Sequence, residues 1–190
     1  DDRRFNDRSW SVGLIRELND GWQVAGSLTS ARHAPGAEEL YSCGAHDSTL
    51  TFDVGNPDLD SEQATNLDLS VRRNSGDWQG SVAVYRNRIH NFIYRNALQD
   101  GGSWLEVEEF QAYGFAQDDV VMQGGEAELR WQQTDSLQWQ WMADRVRGEF
   151  ETGGWLPRMP ADRLGMGMNY EDGLWNGFVQ GFRVMPQDRL

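Results

Sequence analysis

Residues 33–69 read HAPGAEELYSCGAHDSTLTFDVGNPDLDSEQATNLDL, and the way this segment sits between its neighbours decides the fold. On either side of it, side chains alternate with period two, the signature of β-strands. The connection is far too long for a tight turn. It carries its own punctuation: a helical turn opened by Pro35, a Cys/His cluster around Cys43 and His46, then Gly55-Asn56-Pro57 before the next strand. Long ordered connections of this kind in an all-β chain usually carry function.

Working outward, four short polar turns punctuate the remainder: Asn19-Asp20-Gly21, Asn74-Ser75-Gly76-Asp77, Thr134-Asp135-Ser136 and Glu171-Asp172-Gly173. Such clusters tolerate the positive φ that hairpin turns require. Around each, one set of alternating residues is apolar and the other polar. Leu67, Leu69 and Val71 oppose Asp68, Ser70 and Arg72; Ala127, Leu129 and Trp131 oppose Glu126, Glu128 and Arg130. Trp139, Trp141 and Ala143 oppose Gln138, Gln140 and Asp144, and Leu164, Met166 and Met168 oppose Arg163, Gly165 and Gly167. The pattern predicts about eight strands, near residues 5–18, 22–32, 64–74, 78–97, 106–133, 137–150, 161–171 and 174–187. The alternation slips near Tyr85-Arg86, which predicts a β-bulge there. Every second connection is long, at about 32–63, 98–105 and 151–160.

Short turns at one end and long loops at the other are the plan of an outer-membrane barrel. Trp22, Trp78, Trp131, Trp139 and Trp175 all lie within a few residues of a short turn, which would set them at one height as an interfacial girdle. A soluble Trp-rich β-sandwich, such as a glycan-binding module, would instead spread its core along the strands. The polar faces are too charged for a packed interior and suit a wide, wet lumen. The fold class is therefore all-β, an antiparallel transmembrane β-barrel segment; a small porin-like barrel is the structural rival. A formal charge of −13 argues against nucleic acid as a partner. The single Cys forms no intrachain disulfide.

The quoted segment also resembles one family, the TonB-dependent outer-membrane receptors, whose barrels carry A-P-x-A-E-E-L-Y, then G-x-H, then G-N-P-x-L-x-x-E leading into N-L-D-L. Pro35, Glu38, Glu39, Leu40, Tyr41, Gly44, His46, Gly55, Asn56, Pro57, Leu59 and Glu62 fit that pattern. The resemblance continues in residues 82–94, 122–129 and 156–170, and is nearest to the zinc-type branch. It implies that residues 1–190 are part of one barrel domain, about eight strands of a larger one of about 22. The N-terminal plug, the TonB box and the closing strands are expected to lie outside this sequence. It further implies a place in the outer membrane of a Gram-negative bacterium, in contact with its lipid. The implied activity is import driven through the TonB complex. The expected cargo is zinc or a small metal complex, with haem or a ferric siderophore as the alternative. No intrinsic cofactor is expected.

His46 is the first candidate metal ligand, because imidazole is the commonest metal ligand, a neighbouring carboxylate suits zinc, and the zinc-type branch that the segment resembles has a histidine at the matching G-x-H. Asp47 and Glu38 follow as nearby carboxylates, Cys43 as a thiolate with no counterpart in the family pattern, and His33 as a weaker candidate. The structural alternatives are a solvated loop histidine, an incidental thiol, and glutamates that complement the helix dipole after Pro35. His90 reads as structural, and Asp58-Leu59-Asp60-Ser61-Glu62 lacks the central Gly of a calcium loop, so Glu62 reads as the start of a strand. No nucleophile–base pair or phosphate-binding loop is present, so the chain reads as a non-enzyme.

Overall fold

The structure, a computed structural model, describes residues 3–46 and 48–187. Strand β1 (Trp10–Glu17) turns through Asn19–Gly21, where Asp20 takes φ 60°, into β2 (Trp22–His33). The long connection that follows holds helix α1 (Ala37–Tyr41) and a small hairpin, β3 (Cys43–His46) with β4 (Thr51–Val54). Next come β5 (Glu62–Arg73) and β6 (Trp78–Ala97), then a second connection with β7 (Gln99–Asp100), β8 (Ser103–Trp104) and β9 (Glu106–Val107). The last four are β10 (Phe110–Thr134), β11 (Leu137–Phe150), β12 (Arg163–Glu171) and β13 (Asn176–Val184).

The long strands form one antiparallel meander in the order β1-β2-β5-β6-β10-β11-β12-β13. Its two ends, β1 and β13, are not paired to each other among the described residues, so the sheet is an open wall of a barrel. The eight strands and all four tight turns fall where the alternation places them. The bulge does not. Pairing is regular through Tyr85 and Arg86, and the register shifts instead where Phe92 faces Asp118 and Ile89 faces Val120. There the two residues His90 and Asn91 oppose Asp119 alone, with Asn91 at φ 56°. Asp119 stitches the bulge by accepting from Asn91 N–H (3.0 Å) and meeting His90 Nδ1 (2.7 Å). Asparagine tolerates the left-handed region that a bulge needs, whereas Tyr85 and Arg86 do not favour it.

Burial is inverted relative to a soluble protein. The buried apolar residues, among them Leu40, Leu59, Ile89, Ala112, Val120 and Leu156, all sit at the loop end of the sheet. Mid-strand, Val24, Leu28, Leu67, Leu69, Val71, Val82, Val84, Leu129, Leu164 and Met166 are exposed. The register puts them on one face: Val24 opposes Val71, Val71 opposes Val82, and Val82 opposes Ala127. Near the turn end Trp78, Trp131 and Trp139 are directly paired across three strands, with Trp78 and Trp131 stacked at 5.0 Å between ring centroids. An apolar face this continuous belongs in hydrocarbon, with its aromatic margin at the interface. The opposite face is polar and carries its own hydrogen bonds and ion pairs. Glu128 accepts from Arg130 Nε and Gln140 Nε2, both at 2.8 Å, and Arg163 Nε donates to Asp144 at 2.9 Å. The tight turns carry their own locks. Asp172 accepts from Leu174 N–H (3.0 Å) and Trp175 N–H (2.8 Å), and these donors with the Tyr170 hydroxyl hold its carboxyl below the usual range.

Candidate metal centre

The long connection after β2 is fastened to the sheet. Strand β4 pairs parallel with the upper part of β10, Thr51 to Gln111 through Val54 to Gly114, beyond the stretch that β11 occupies. The Gly-Asn-Pro motif makes the joint. A Cβ on Gly55 would lie 2.5–2.6 Å from the backbone of residues 40–42, so only glycine lets this strand end approach α1. Gly55 N–H then donates to Ser42 O (2.7 Å) and Asn56 N–H to Glu39 O (2.8 Å), satisfying carbonyls left open at the end of the helix. Asn56 also donates through Nδ2 to Phe115 O (3.1 Å), and Gln117 donates to Asp60 O (2.8 Å). At the other end of α1, Glu39 Oε2 accepts from Gly36 N–H (2.7 Å). The helix therefore begins at Ala37, one residue past Gly36, rather than directly on Pro35.

This fastening brings three side chains together. His46 closes β3, Glu38 lies on α1, and Asp53 is in the middle of β4. His46 Nε2 is 3.4 Å from Glu38 Oε1 and 3.6 Å from Asp53 Oδ2. The three ligand atoms lie within 4.8 Å of one another. Two ligands about 2.0–2.1 Å from a tetrahedral divalent ion stand roughly 3.3 Å apart, so the spacing suits such an ion. Asp53 is buried, and its other oxygen, Oδ1, pairs with Arg95. Arg95 in turn lies over the Tyr113 ring at 4.7 Å and donates to Thr51 Oγ1 at 3.0 Å. A buried carboxylate requires such a partner. The arrangement leaves Oδ2 directed at His46.

Of the residues anticipated from sequence, the structure joins His46 and Glu38. Cys43 is exposed and lies three positions before His46 on the same strand, which sets it on the opposite face. His33 is at the base of the loop, 71% exposed, with Nδ1 3.6 Å from Glu62 Oε2. Asp47 lies outside the described residues. Glu62 opens β5, its Oε1 accepting from Ile93 N–H at 2.7 Å, and His90 belongs to the bulge. Asp53 is the residue that sequence reading missed. The available signal was a lone carboxylate inside the apolar run Leu50-Thr51-Phe52-Asp53-Val54.

Comparison with known proteins agrees with this geometry at the level of family and fold. The description "TonB dependent receptor-like, beta-barrel" matches residues 1–189. Among solved structures, the chain is similar to the copper transporter OprC, with 21% identity over 95% of this chain and a TM-score of 0.79. It is also similar to the ferric enterobactin receptor PfeA of Pseudomonas aeruginosa, at 19% identity over 86% of this chain with a TM-score of 0.60. The siderophore receptor PirA of Pseudomonas aeruginosa gives 16% identity over 92% and a TM-score of 0.58. The chain spans 27%, 25% and 35% of these three proteins respectively. These neighbours are named for copper and for siderophores, and none of the three for zinc. With its continuous apolar band, its aromatic margin and this match over nearly its whole length, the chain belongs to the TonB-dependent receptor β-barrel family of the Gram-negative outer membrane.

Proposed function

We propose that this chain is part of a receptor that imports a metal ion, or a small metal complex, with energy delivered by the TonB complex to a plug within the barrel. The loop end faces the exterior and the tight turns face the periplasm. The observation that carries the reading is the convergence of His46, Glu38 and Asp53 in a loop held against the end of the sheet. One imidazole and two carboxylates suit a borderline divalent cation, zinc above all, while imidazole also accepts copper. Three protein donors leave a coordination position open. That suits a cargo that must be released again, or one that arrives with a ligand of its own. No catalytic role is proposed.

The test is zinc and copper binding to the full-length receptor and its His46→Ala and Glu38→Gln variants. Loss of one donor from three should weaken binding by about tenfold or more. Binding should also weaken on acidification, because protonated imidazole cannot coordinate. Unchanged affinity and unchanged pH dependence in His46→Ala would remove this cluster from the transport path. A second reading, a siderophore-type receptor, is supported by the similarity to PfeA and PirA. It predicts that a ferric chelate, and neither free ion, binds at the loop end.

A further inference from the structure

The apolar face of the sheet has a gap near the tight turns. Trp22, Arg73, Gly80, Leu129 and Trp141 stand in one row across five strands, each paired to the next. Glycine interrupts that row. A Cβ at position 80 would collide with Glu128 O and lie 3.1 Å from Leu129 Cα, so the close approach of β6 to β10 excludes a side chain there. Val71, Val82 and Ala127 form the next row toward the loops, and Trp78 stands on the turn side. Together they line an apolar trough of about 920 Å³.

Arg73 forms one wall of this trough, and its charge is unanswered. Its guanidinium has no carboxylate partner among the described residues, and Nε is buried without an acceptor. The side chain lies over the Trp22 ring at 5.7 Å. Nη2 reaches back toward the tight turn, 3.3 Å from where a Cβ on Gly76 would stand. The chain carries 30 Asp and Glu residues and sets none of them on this cation, which lies at the rim of the apolar band. An arginine so placed needs an anion, and the membrane can supply one. One kind of molecule matches both parts of the site. The trough takes an acyl chain, and at its turn-side end a guanidinium meets a phosphodiester with parallel hydrogen bonds, flanked by indoles at interfacial depth.

We propose that the trough holds a glycerophospholipid of the periplasmic leaflet, its phosphodiester on Arg73 and an acyl chain along Gly80, Val82 and Ala127. The choice of leaflet rests on the orientation proposed above, with the tight turns toward the periplasm. The experiment uses full-length receptor in detergent and native mass spectrometry. The probes are purified phosphatidylethanolamine and a diacylglycerol with the same acyl chains, which lacks the phosphate. Folding of each variant is checked by heat-modifiable electrophoretic mobility. The phospholipid should bind the wild type about tenfold more tightly than the diacylglycerol, as expected for one charge-assisted hydrogen bond, and Arg73→Gln should remove that advantage. Ala127→Leu, which intrudes on the trough and keeps the charge, should weaken both lipids. Arg130→Gln, on the opposite face, should change neither. Equal binding of the two lipids by the wild type, or equal phospholipid binding by the wild type and Arg73→Gln, would overturn the phosphate contact. Binding of both lipids unaltered by Ala127→Leu would overturn the trough. Displacement of the phospholipid by lipid A, which belongs to the other leaflet, would overturn the choice of leaflet. Metal binding at His46 should not change in any of these variants, so failure here is separable from failure of the import reading.

Discussion

Leu69→Arg is the sharpest test of which face meets lipid. Leu69 is 50% exposed on the apolar face, paired with Gly26 on one side and Val84 on the other. Its side chain leans over Gly26, where a Cβ would lie 3.1 Å from Leu69 Cδ2. Val84 stands six residues after Trp78 of the aromatic margin. At about 3.3 Å per residue this is roughly 20 Å along the strand. A strand tilt of about 40° leaves about 15 Å of height above the aromatic margin, inside an apolar band about 25 Å tall. Arginine there should cost about 2–4 kcal/mol, against about 0–1 kcal/mol near either interface. The matched control is Gln140→Arg on the opposite face, where Gln140 donates to Glu128 at 2.8 Å and a new cation meets a carboxylate. The assay is the folded fraction of the full-length receptor in lipid bilayers across a guanidinium series. Leu69→Arg should shift the midpoint strongly and Gln140→Arg by less than about 0.5 kcal/mol. Equal shifts would refute the assignment of faces.

Three further outcomes follow from single side chains. Arg147 is buried and bidentate to Asp162, so Arg147→Met should cost about 3–5 kcal/mol and release the segment around residues 155–162, seen as new protease cleavage there. Asn91, at φ 56° in the bulge, should accept Gly with little change, while Asn91→Val should cost about 1–2 kcal/mol in thermal unfolding. Asp172 has its carboxyl pKa lowered by the Trp175 and Leu174 amides, so its hold on the turn is full above the unfolded value of about 3.9 and lost as pH falls through the depressed folded value. The protection factors of those two amides, rates taken relative to the intrinsic rate at each pH, should therefore fall in acid in the wild type, and be low at every pH in Asp172→Ala.

The strands were legible because their chemistry is local. Period-two alternation survives wherever one face meets lipid and the other water, and turns such as Asn74-Ser75-Gly76-Asp77 announce themselves by their φ demands. The bulge was misplaced for a related reason. Tyr85-Arg86 breaks the apolar pattern because the apolar band ends there, with Arg86 on the outward face, and not because the register slips. A polar residue on a lipid-facing strand can mark a change of depth as readily as a change of pairing. The true bulge at His90-Asn91 depends on Asp119, 28 residues beyond Asn91, and no periodicity within one strand reports such a partner.

Asp53 was hidden in the same way, and the reason leads to a test of the metal centre that does not depend on transport. Within Leu50-Thr51-Phe52-Asp53-Val54 the carboxylate could have faced water; its burial follows only from the parallel pairing of β4 with β10, which carries it to Arg95. Arg95→Met would leave a carboxylate whose side chain is 5% exposed without its cation, at a cost of about 3–5 kcal/mol. A metal ion held by His46, Glu38 and Asp53 would restore positive charge beside that carboxylate. Zinc should therefore raise the melting temperature of Arg95→Met by more than it raises that of the wild type, although a bound ligand at about 100 times its Kd stabilises any folded protein by about 2.7 kcal/mol. In the double variant Arg95→Met with His46→Ala the extra increment should vanish. If zinc raises all three melting temperatures equally, the ion is bound elsewhere, and Asp53 serves only the Arg95 pair that fastens the loop.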